Sequence, residues 1–222
     1  YEELWHGEAF SRFLGEAGYE LAPDGDRVWG DTPYPSRVAR NAWIRRKLGG
    51  KGYVSHLATL IAAALLKDFV AVHMTWGAVN ELSTLHSYHR LIAKTEHPVL
   101  VDLLNRIIKD ERRHYAFYRA QARMRLGRSA QARTVTRWAL EHLWAPVGTG
   151  VRPQQETDFV ATYLFGDRDG HAAAAELDAT IGELPGLGGL HIYRNALAHA
   201  VRRAGLSQPM RVTTPLAAFR TE

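Results

Sequence analysis

The sequence predicts an all-α protein, and three observations support that prediction. Apolar residues recur at helical spacing along most of the 222 residues, and no segment alternates convincingly between apolar and polar residues as a strand would. Proline and glycine fall where the helical runs should stop. An apolar content of 46% is enough for one domain with a sizeable core. We therefore predict a single helical domain over residues 1–205 and an irregular tail over residues 206–222.

The first part of the chain is predicted to alternate between helices and a long loop. Residues 1–17 form the first helix, and residues 18–35, rich in Gly, Asp and Pro, form a connecting loop. Ser36 can cap a short basic helix over residues 37–48, which ends at a pair of glycines.

Two long helical patterns follow. Residues 53–96 read as helix, but forty-four residues are long for one globular helix, so we expect a break or kink near residues 74–77. The run should stop before Pro98, because the residue before a proline resists the helical conformation. A second helix is predicted over residues 98–126, with Gly127 as its stop.

The remaining helices are shorter. They are predicted over residues 129–144, 156–165, 171–183 and 190–204. The glycine-rich turn of residues 185–189 is not a nucleotide-binding motif, since no strand precedes it.

Composition excludes several classes of function. The chain has no cysteine, which excludes disulfides, thiolate metal sites and cysteine nucleophiles. Its most apolar stretch, residues 57–66, is too short to span a bilayer, and we expect a cytoplasmic protein without a membrane span. The net charge of +5 is concentrated in residues 36–51 and 101–140. These stretches are either solvated helix faces or a docking surface for an acidic partner. No nucleic-acid-binding motif is present.

One pair of residues inside the helix of residues 98–126 indicates a metal site. Glu111 and His114 are three residues apart, so both side chains lie on one face of the helix. In helical-bundle carboxylate sites, two helices with Glu-x-x-His are joined by two helices that supply one Glu each. This pair alone is weak evidence for a metal site, and the evidence becomes stronger only if other parts of the chain supply further ligands.

The rest of the chain offers ligands of the same kind. Glu3 and His6 repeat the spacing, and Glu81 lies in an apolar helical run thirty residues before Glu111. Sixteen residues separate Glu81 from the break before Pro98, and thirteen separate Pro98 from Glu111. At about 1.5 Å rise per residue, an antiparallel hairpin would return the two glutamates to within roughly 5 Å of the same height.

Three blocks of residues resemble the metal-binding helices of a known family. They are residues 2–14 (EELWHGEAFSRFL), 80–84 (NELST) and 110–114 (DERRH). These blocks are similar, in order and in part in spacing, to those of the soluble acyl-carrier-protein desaturases of the ferritin-like di-iron carboxylate superfamily. The resemblance runs from residue 1 to about residue 165 and implies a ferritin-like helical bundle with extra C-terminal helices.

The resemblance also implies a cofactor and its ligands. Two iron ions, cycling between ferrous and ferric states and with manganese as an alternative at one position, would be held by three glutamates and two histidines: Glu3, His6, Glu81, Glu111 and His114. Asp110 would hydrogen-bond a ligating imidazole, expected to be that of His6, and fix its orientation.

The chain departs from the family at one ligand. The family's site has six protein ligands, and the first glutamate comes from a helix before the first Glu-x-x-His, whereas this chain begins at Tyr1. We expect the natural protein to be longer and to supply that helix. The alternative is a site that lacks one ligand.

The function implied by the resemblance is that of an oxygen-dependent di-iron oxidoreductase. It would desaturate or hydroxylate an acyl chain held by acyl carrier protein, take electrons from a ferredoxin-like donor and form a homodimer. An alternative from another class is a non-catalytic ferritin-like scaffold with an incomplete metal site; iron storage is a third hypothesis.

Two tyrosines lie on the faces that carry the candidate ligands. Tyr88 and Tyr118 each follow a candidate glutamate or histidine at helical spacing. We interpret them as core packing, with a substrate channel or a radical as the alternative.

Overall fold

The computed structural model describes residues 2–16, 63, 68–150 and 152–206. Within these ranges the all-α prediction is confirmed, because they form seven helices and no strand. The helices are α1 (Glu2–Glu16), α2 (Phe69–Ile92), α3 (Pro98–Arg128), α4 (Ala130–His142), α5 (Gln154–Phe165), α6 (Arg168–Gly182) and α7 (Ile192–Leu206).

Several predicted elements lie outside the described residues. They are the loop of residues 18–35, the basic helix of residues 37–48, most of residues 53–67 and the tail from residue 207 onward. Among the helices that are described, none combines the length and the apolar character that crossing a membrane requires.

The centre of the fold is a helical hairpin of α2 and α3. The connection between the two helices ends at Pro98, which lies in the first turn of α3. Proline is tolerated there because the first N–H groups of a helix have no intrahelical acceptor. The facing sides of the two helices are apolar and buried, with Val79 and Leu82 on α2 and Leu104 and Ile108 on α3. Helix α1 packs against α3, and α4 packs against both helices of the hairpin.

The C-terminal helices α5, α6 and α7 pack on one another, and α5 and α6 also contact α2. Asp178 of α6 organises the start of α7, because its buried carboxylate accepts hydrogen bonds from the backbone N–H groups of Tyr193 and Arg194. The Tyr193 hydroxyl donates to the Val79 carbonyl of α2 (2.5 Å). These bonds attach the C-terminal helices to the hairpin that carries the candidate site.

A break or kink was predicted near residues 74–77, and the structure has no break there, because α2 is one continuous helix from Phe69 to Ile92. Gly77 lies there for a different reason. A Cβ atom at this position would lie 2.5 Å from two ring atoms of Tyr118 on α3. The glycine therefore allows the close approach of α2 and α3 and does not end a helix.

We expect Gly77→Ala to destabilise the protein, because the new methyl group would overlap the Tyr118 ring and force α2 and α3 apart. Overpacking of this kind costs about 1–3 kcal/mol, which exceeds the gain of about 0.5–1 kcal/mol from replacing a helical glycine by alanine. Urea unfolding measures the change. Gly127→Ala on α3 is the control, because nothing lies within 4 Å of its Cβ position, and this variant should be slightly stabilised. Equal effects of the two substitutions would contradict the explanation.

Candidate metal centre

Three helices bring the five predicted ligands to one place. Helix α1 contributes Glu3 and His6, α2 contributes Glu81, and α3 contributes Glu111 and His114. The depths of these side chains differ: Glu111 is 1% exposed and His6 is 6% exposed, whereas the Glu3 side chain is 63% exposed. The centre is therefore buried at Glu111 and His6 and open to solvent at Glu3.

Glu111 lies between the two imidazoles. Its Oε1 atom is 3.3 Å from Nδ1 of His6, and its Oε2 atom is 3.2 Å from Nδ1 of His114. The two ring centroids are 6.3 Å apart. One carboxylate facing two imidazole nitrogens in this way is the arrangement in which a glutamate can bridge two metal ions.

Nδ1 of His114 faces three carboxylates. It lies 3.1 Å from Glu3 Oε1, 3.2 Å from Glu111 Oε2 and 3.9 Å from Glu81 Oε2. One atom from each of these four residues lies within 4.8 Å of the others. A single cation could therefore be contacted by three oxygens and one nitrogen, a donor set that suits iron or manganese.

Asp110 is hydrogen-bonded to His6, the imidazole that the resemblance indicated. His6 Nε2 lies 3.2 Å from Asp110 Oδ2, and Arg113 donates to the other oxygen of Asp110 at 2.6 Å. When Nε2–H of His6 donates this hydrogen bond to Asp110, the neutral imidazole carries no proton on Nδ1, the nitrogen that faces the cluster.

The surroundings of the buried Nδ1 atom of His6 indicate whether the residues of the cluster fit a metal ion. It makes no hydrogen bond, although Glu111 Oε1 and Glu3 Oε2 lie 3.3 Å and 3.9 Å away. With the proton on Nε2, this contact sets a nitrogen lone pair against carboxylate oxygens, which repel it. A cation between them would turn the repulsion into coordination, so the residues present fit a metal ion.

Burial and mutual repulsion raise the pKa values of two of these carboxyl groups. The pKa of Glu81 rises to about 8, chiefly because of burial and then because of the neighbouring Glu111. Burial also raises the pKa of Glu111, with Glu3 adding to the shift. Both shifts mean that the charged forms are unfavourable in the protein alone, and a bound cation would remove this penalty.

The two halves of the cluster are unequal. Near His114 lie three carboxylates, whereas within 4 Å of His6 Nδ1 the described residues supply only Glu111 and Glu3. Of these, Glu3 is the exposed member of the cluster. The half of the centre around His114 is therefore the better-formed cation site.

A mainly apolar cavity of 510 Å³ shares helix α2 with the candidate metal centre. It is formed by α2, the segment after α4 and helices α5 to α7, and Thr84 and Tyr88 belong to its α2 wall. Thr84 lies one turn beyond Glu81, and Tyr88 lies two turns beyond it. Burial, and then the carboxylates of Glu111 and Glu3, raise the pKa of Tyr88. Tyr88 therefore lines the cavity and is also within the electrostatic influence of the acidic cluster.

Sequence reasoning missed two features of this region. It did not predict the ion pair between Asp110 and Arg113, although their helical i, i+3 spacing could have indicated it. It also did not find the cavity, whose walls come from residues far apart in the chain, such as Leu91, Trp144 and Leu197. No local pattern signals a cavity of that kind.

Comparison of the chain with protein-family models, with curated proteins and with solved structures finds no match in any of the three.

Proposed function

We propose that this protein is a non-heme di-iron oxidoreductase of the acyl-carrier-protein desaturase type. The single observation that carries the proposal is the convergence of three glutamates and two histidines from three helices, with one imidazole nitrogen buried and unpartnered: Glu3, His6, Glu81, Glu111 and His114. This donor set suits a pair of iron ions, with manganese as an alternative at one position.

Each residue has a distinct role in this proposal. Glu111 and Glu3 each face both imidazoles and would hold the metal ions in common. Glu81 lies near His114 and would hold only the ion on that side. Asp110 holds the proton on Nε2 of His6 and keeps its Nδ1 available for metal.

Iron pairs held by such ligands supply redox chemistry that uses dioxygen to remove hydrogen from an unactivated C–H bond. Desaturation takes two hydrogens from the acyl chain and reduces one dioxygen to two waters, with two further electrons and two protons. A ferredoxin-like donor supplies the electrons, and solvent supplies the protons. The protein would contribute the metal ligands and, through Asp110, the orientation of the His6 imidazole. The apolar cavity beside Tyr88 would hold the reacting chain away from water.

The proposed partners follow from charge. Helix α3 carries an exposed row of basic side chains that includes Arg106, Lys109 and Arg112. Such a face suits acyl carrier protein or a ferredoxin, both of which are acidic. We further propose that the protein acts in the cytoplasm as a homodimer, as the resemblance implies.

The test is a reconstituted reaction. Iron-loaded protein is combined with a saturated acyl chain on acyl carrier protein, ferredoxin, its reductase and dioxygen, and the acyl product is analysed by mass spectrometry. We expect a product that has lost two hydrogens or gained one oxygen, and none when Glu111→Gln replaces the wild type. An unchanged acyl chain with fully iron-loaded protein would contradict the proposed activity.

The unequal halves of the cluster favour a second candidate, a non-catalytic ferritin-like scaffold that binds one metal ion. The observation behind it is that His6 has fewer carboxylate neighbours than His114 among the described residues. The number of iron ions bound per chain separates the two candidates, since the scaffold needs at most one.

A further inference from the structure

A polar cavity of 640 Å³ lies among the C-terminal helices, and none of the five candidate metal ligands lines it. Its walls come from the end of α4 and the segment after it, from α5, and from α7 with the residues just before it. This volume is within the range of small-molecule sites and is many times the space that one water molecule occupies. The cavity is therefore large enough for an organic molecule.

The charged side chains in the wall of this cavity are paired. Arg203 donates to both oxygens of Asp158 at 2.7 and 2.8 Å, and this pairing lowers the pKa of Asp158. A carboxylate oxygen of Glu141 lies 3.0 Å from Nε of Arg137. An ion that entered the cavity would meet no unpaired opposite charge to offset the loss of its hydration, so the wall favours a neutral molecule.

The uncharged polar groups of the wall include both donors and acceptors. Arg202 donates to Nδ1 of His199 at 3.0 Å, so a neutral His199 carries its proton on Nε2, which is a donor. Gln154 donates its amide to Asp158 at 2.9 Å, which leaves its carbonyl oxygen as an acceptor. The exposed amide of Asn195 offers one group of each kind. Hydroxyl groups suit such a mixture, because each of them both donates and accepts.

Two threonine hydroxyls in the same wall lack partners. Those of Thr149 and Thr157 are buried and make no hydrogen bond within the described part of the chain. A rotation about χ1 that turns either hydroxyl toward a ligand therefore breaks no existing hydrogen bond. Buried hydroxyls are normally paired, so two unpaired ones in one cavity wall favour a partner from outside the chain.

The wall also contains an aromatic surface. The Nε1–H group of Trp144 donates to Asn80 on α2 at 3.2 Å, and the same indole lines the polar cavity. Small-molecule sites commonly combine such an aromatic surface with a few polar groups that fix the orientation of the ligand. A ring with hydroxyl groups at its edge and C–H groups on its face matches this combination.

We propose that the polar cavity binds a neutral monosaccharide. The hydroxyl groups of the sugar bond Asn195, Gln154 and the two threonines, and the C–H face of its ring lies against Trp144. The site contains none of the metal ligands and takes a different class of molecule from an acyl chain. The inference therefore stands or falls separately from the proposed oxidoreductase.

The experiment titrates D-glucose, D-galactose and D-mannose into the full-length chain, both metal-free and iron-loaded, with calorimetry and ligand-observed NMR as readouts. We expect at least one of the three sugars to bind, with one molecule per chain and equal affinity in both forms. The uronate of that sugar keeps the ring and adds a carboxylate. It should bind at least about 10-fold more weakly, because burying an unpaired charge costs more than burying a hydroxyl.

Four variants locate the site. Asn195→Ala and Thr157→Val each remove one hydrogen-bonding group and should weaken binding about 2- to 10-fold. Their matched controls are Asn105→Ala on α3, an exposed asparagine, and Thr136→Val on α4, a buried threonine with an unpaired hydroxyl. Neither control residue lines the cavity, so both controls should bind the sugar as the wild type does.

Three outcomes would overturn the proposal. The first is that none of the three sugars binds the wild type. The second is that the uronate binds as tightly as its sugar or more tightly. The third is that Asn195→Ala and Thr157→Val bind the sugar as tightly as their controls.

Discussion

Replacing Glu111 by alanine is expected to remove nearly all bound iron while leaving the helical content unchanged. Glu111 is the only described carboxylate with one oxygen within 3.3 Å of each imidazole, so its loss affects both halves of the centre. We expect iron affinity to fall more than about 100-fold, beyond what is usual for losing a residue that merely supports a ligand. Alanine is a better helix former than glutamate, so α3 should persist. Iron analysis and far-ultraviolet circular dichroism on the same sample give the two readings.

The isosteric change Glu111→Gln adds a test of stability. It keeps the side-chain volume but removes a carboxylate that is 1% exposed and crowded by Glu3 and Glu81. Without metal, this variant should be more stable than the metal-free wild type by about 1–3 kcal/mol, because a neutral amide is buried at lower cost than a carboxylate and does not repel Glu3.

An exposed glutamate provides the control for both Glu111 variants. Glu183 pairs with Arg119 on the surface, so Glu183→Ala should change neither iron content nor stability appreciably. Full iron content in Glu111→Ala would overturn the ligand assignment.

The two histidines are expected to differ in their effect on the number of metals. His114 faces three carboxylates and His6 faces two, so the half around His114 should fill first. His6→Ala should therefore retain about one iron per chain, whereas His114→Ala should lose the tight site and bind iron only weakly. Anaerobic ferrous titration followed by equilibrium dialysis counts the ions.

A histidine remote from the cluster serves as the control for this pair. His142 stacks on the exposed Trp138 and has no contact with the ligands, so His142→Ala should bind iron as the wild type does. Equal losses in His6→Ala and His114→Ala would show that the two halves are not distinct.

The register of α2 and α3 could be predicted from sequence because it depends on local quantities. Pro98 defines the turn, the rise per residue defines the height, and Glu81 and Glu111 consequently meet. The spacing of Glu111 and His114 on one helix face is equally local. These parts of the centre follow from helix geometry.

Other parts of the centre depend on tertiary contacts that no local pattern encodes. Helix α1 lies beside α3, far along the chain. The repeated Glu-x-x-His spacing and the family resemblance suggested that Glu3 and His6 belong with Glu111, but no local pattern predicts that α1 packs there. The expected break at residues 74–77 was wrong, because a glycine can either end a helix or allow two helices to approach closely, and Gly77 does the second. Its role here, close packing against Tyr118, is visible only when α3 is in place.

The most direct test of the central claim is the number of ferrous ions that the metal-free wild-type chain binds under anaerobic conditions. The arrangement of Glu111 between His6 and His114 predicts about two ions per chain, bound in two steps of which the first is tighter. A chain that binds no ferrous iron, although its helices are intact, would contradict the metal centre and the function proposed from it.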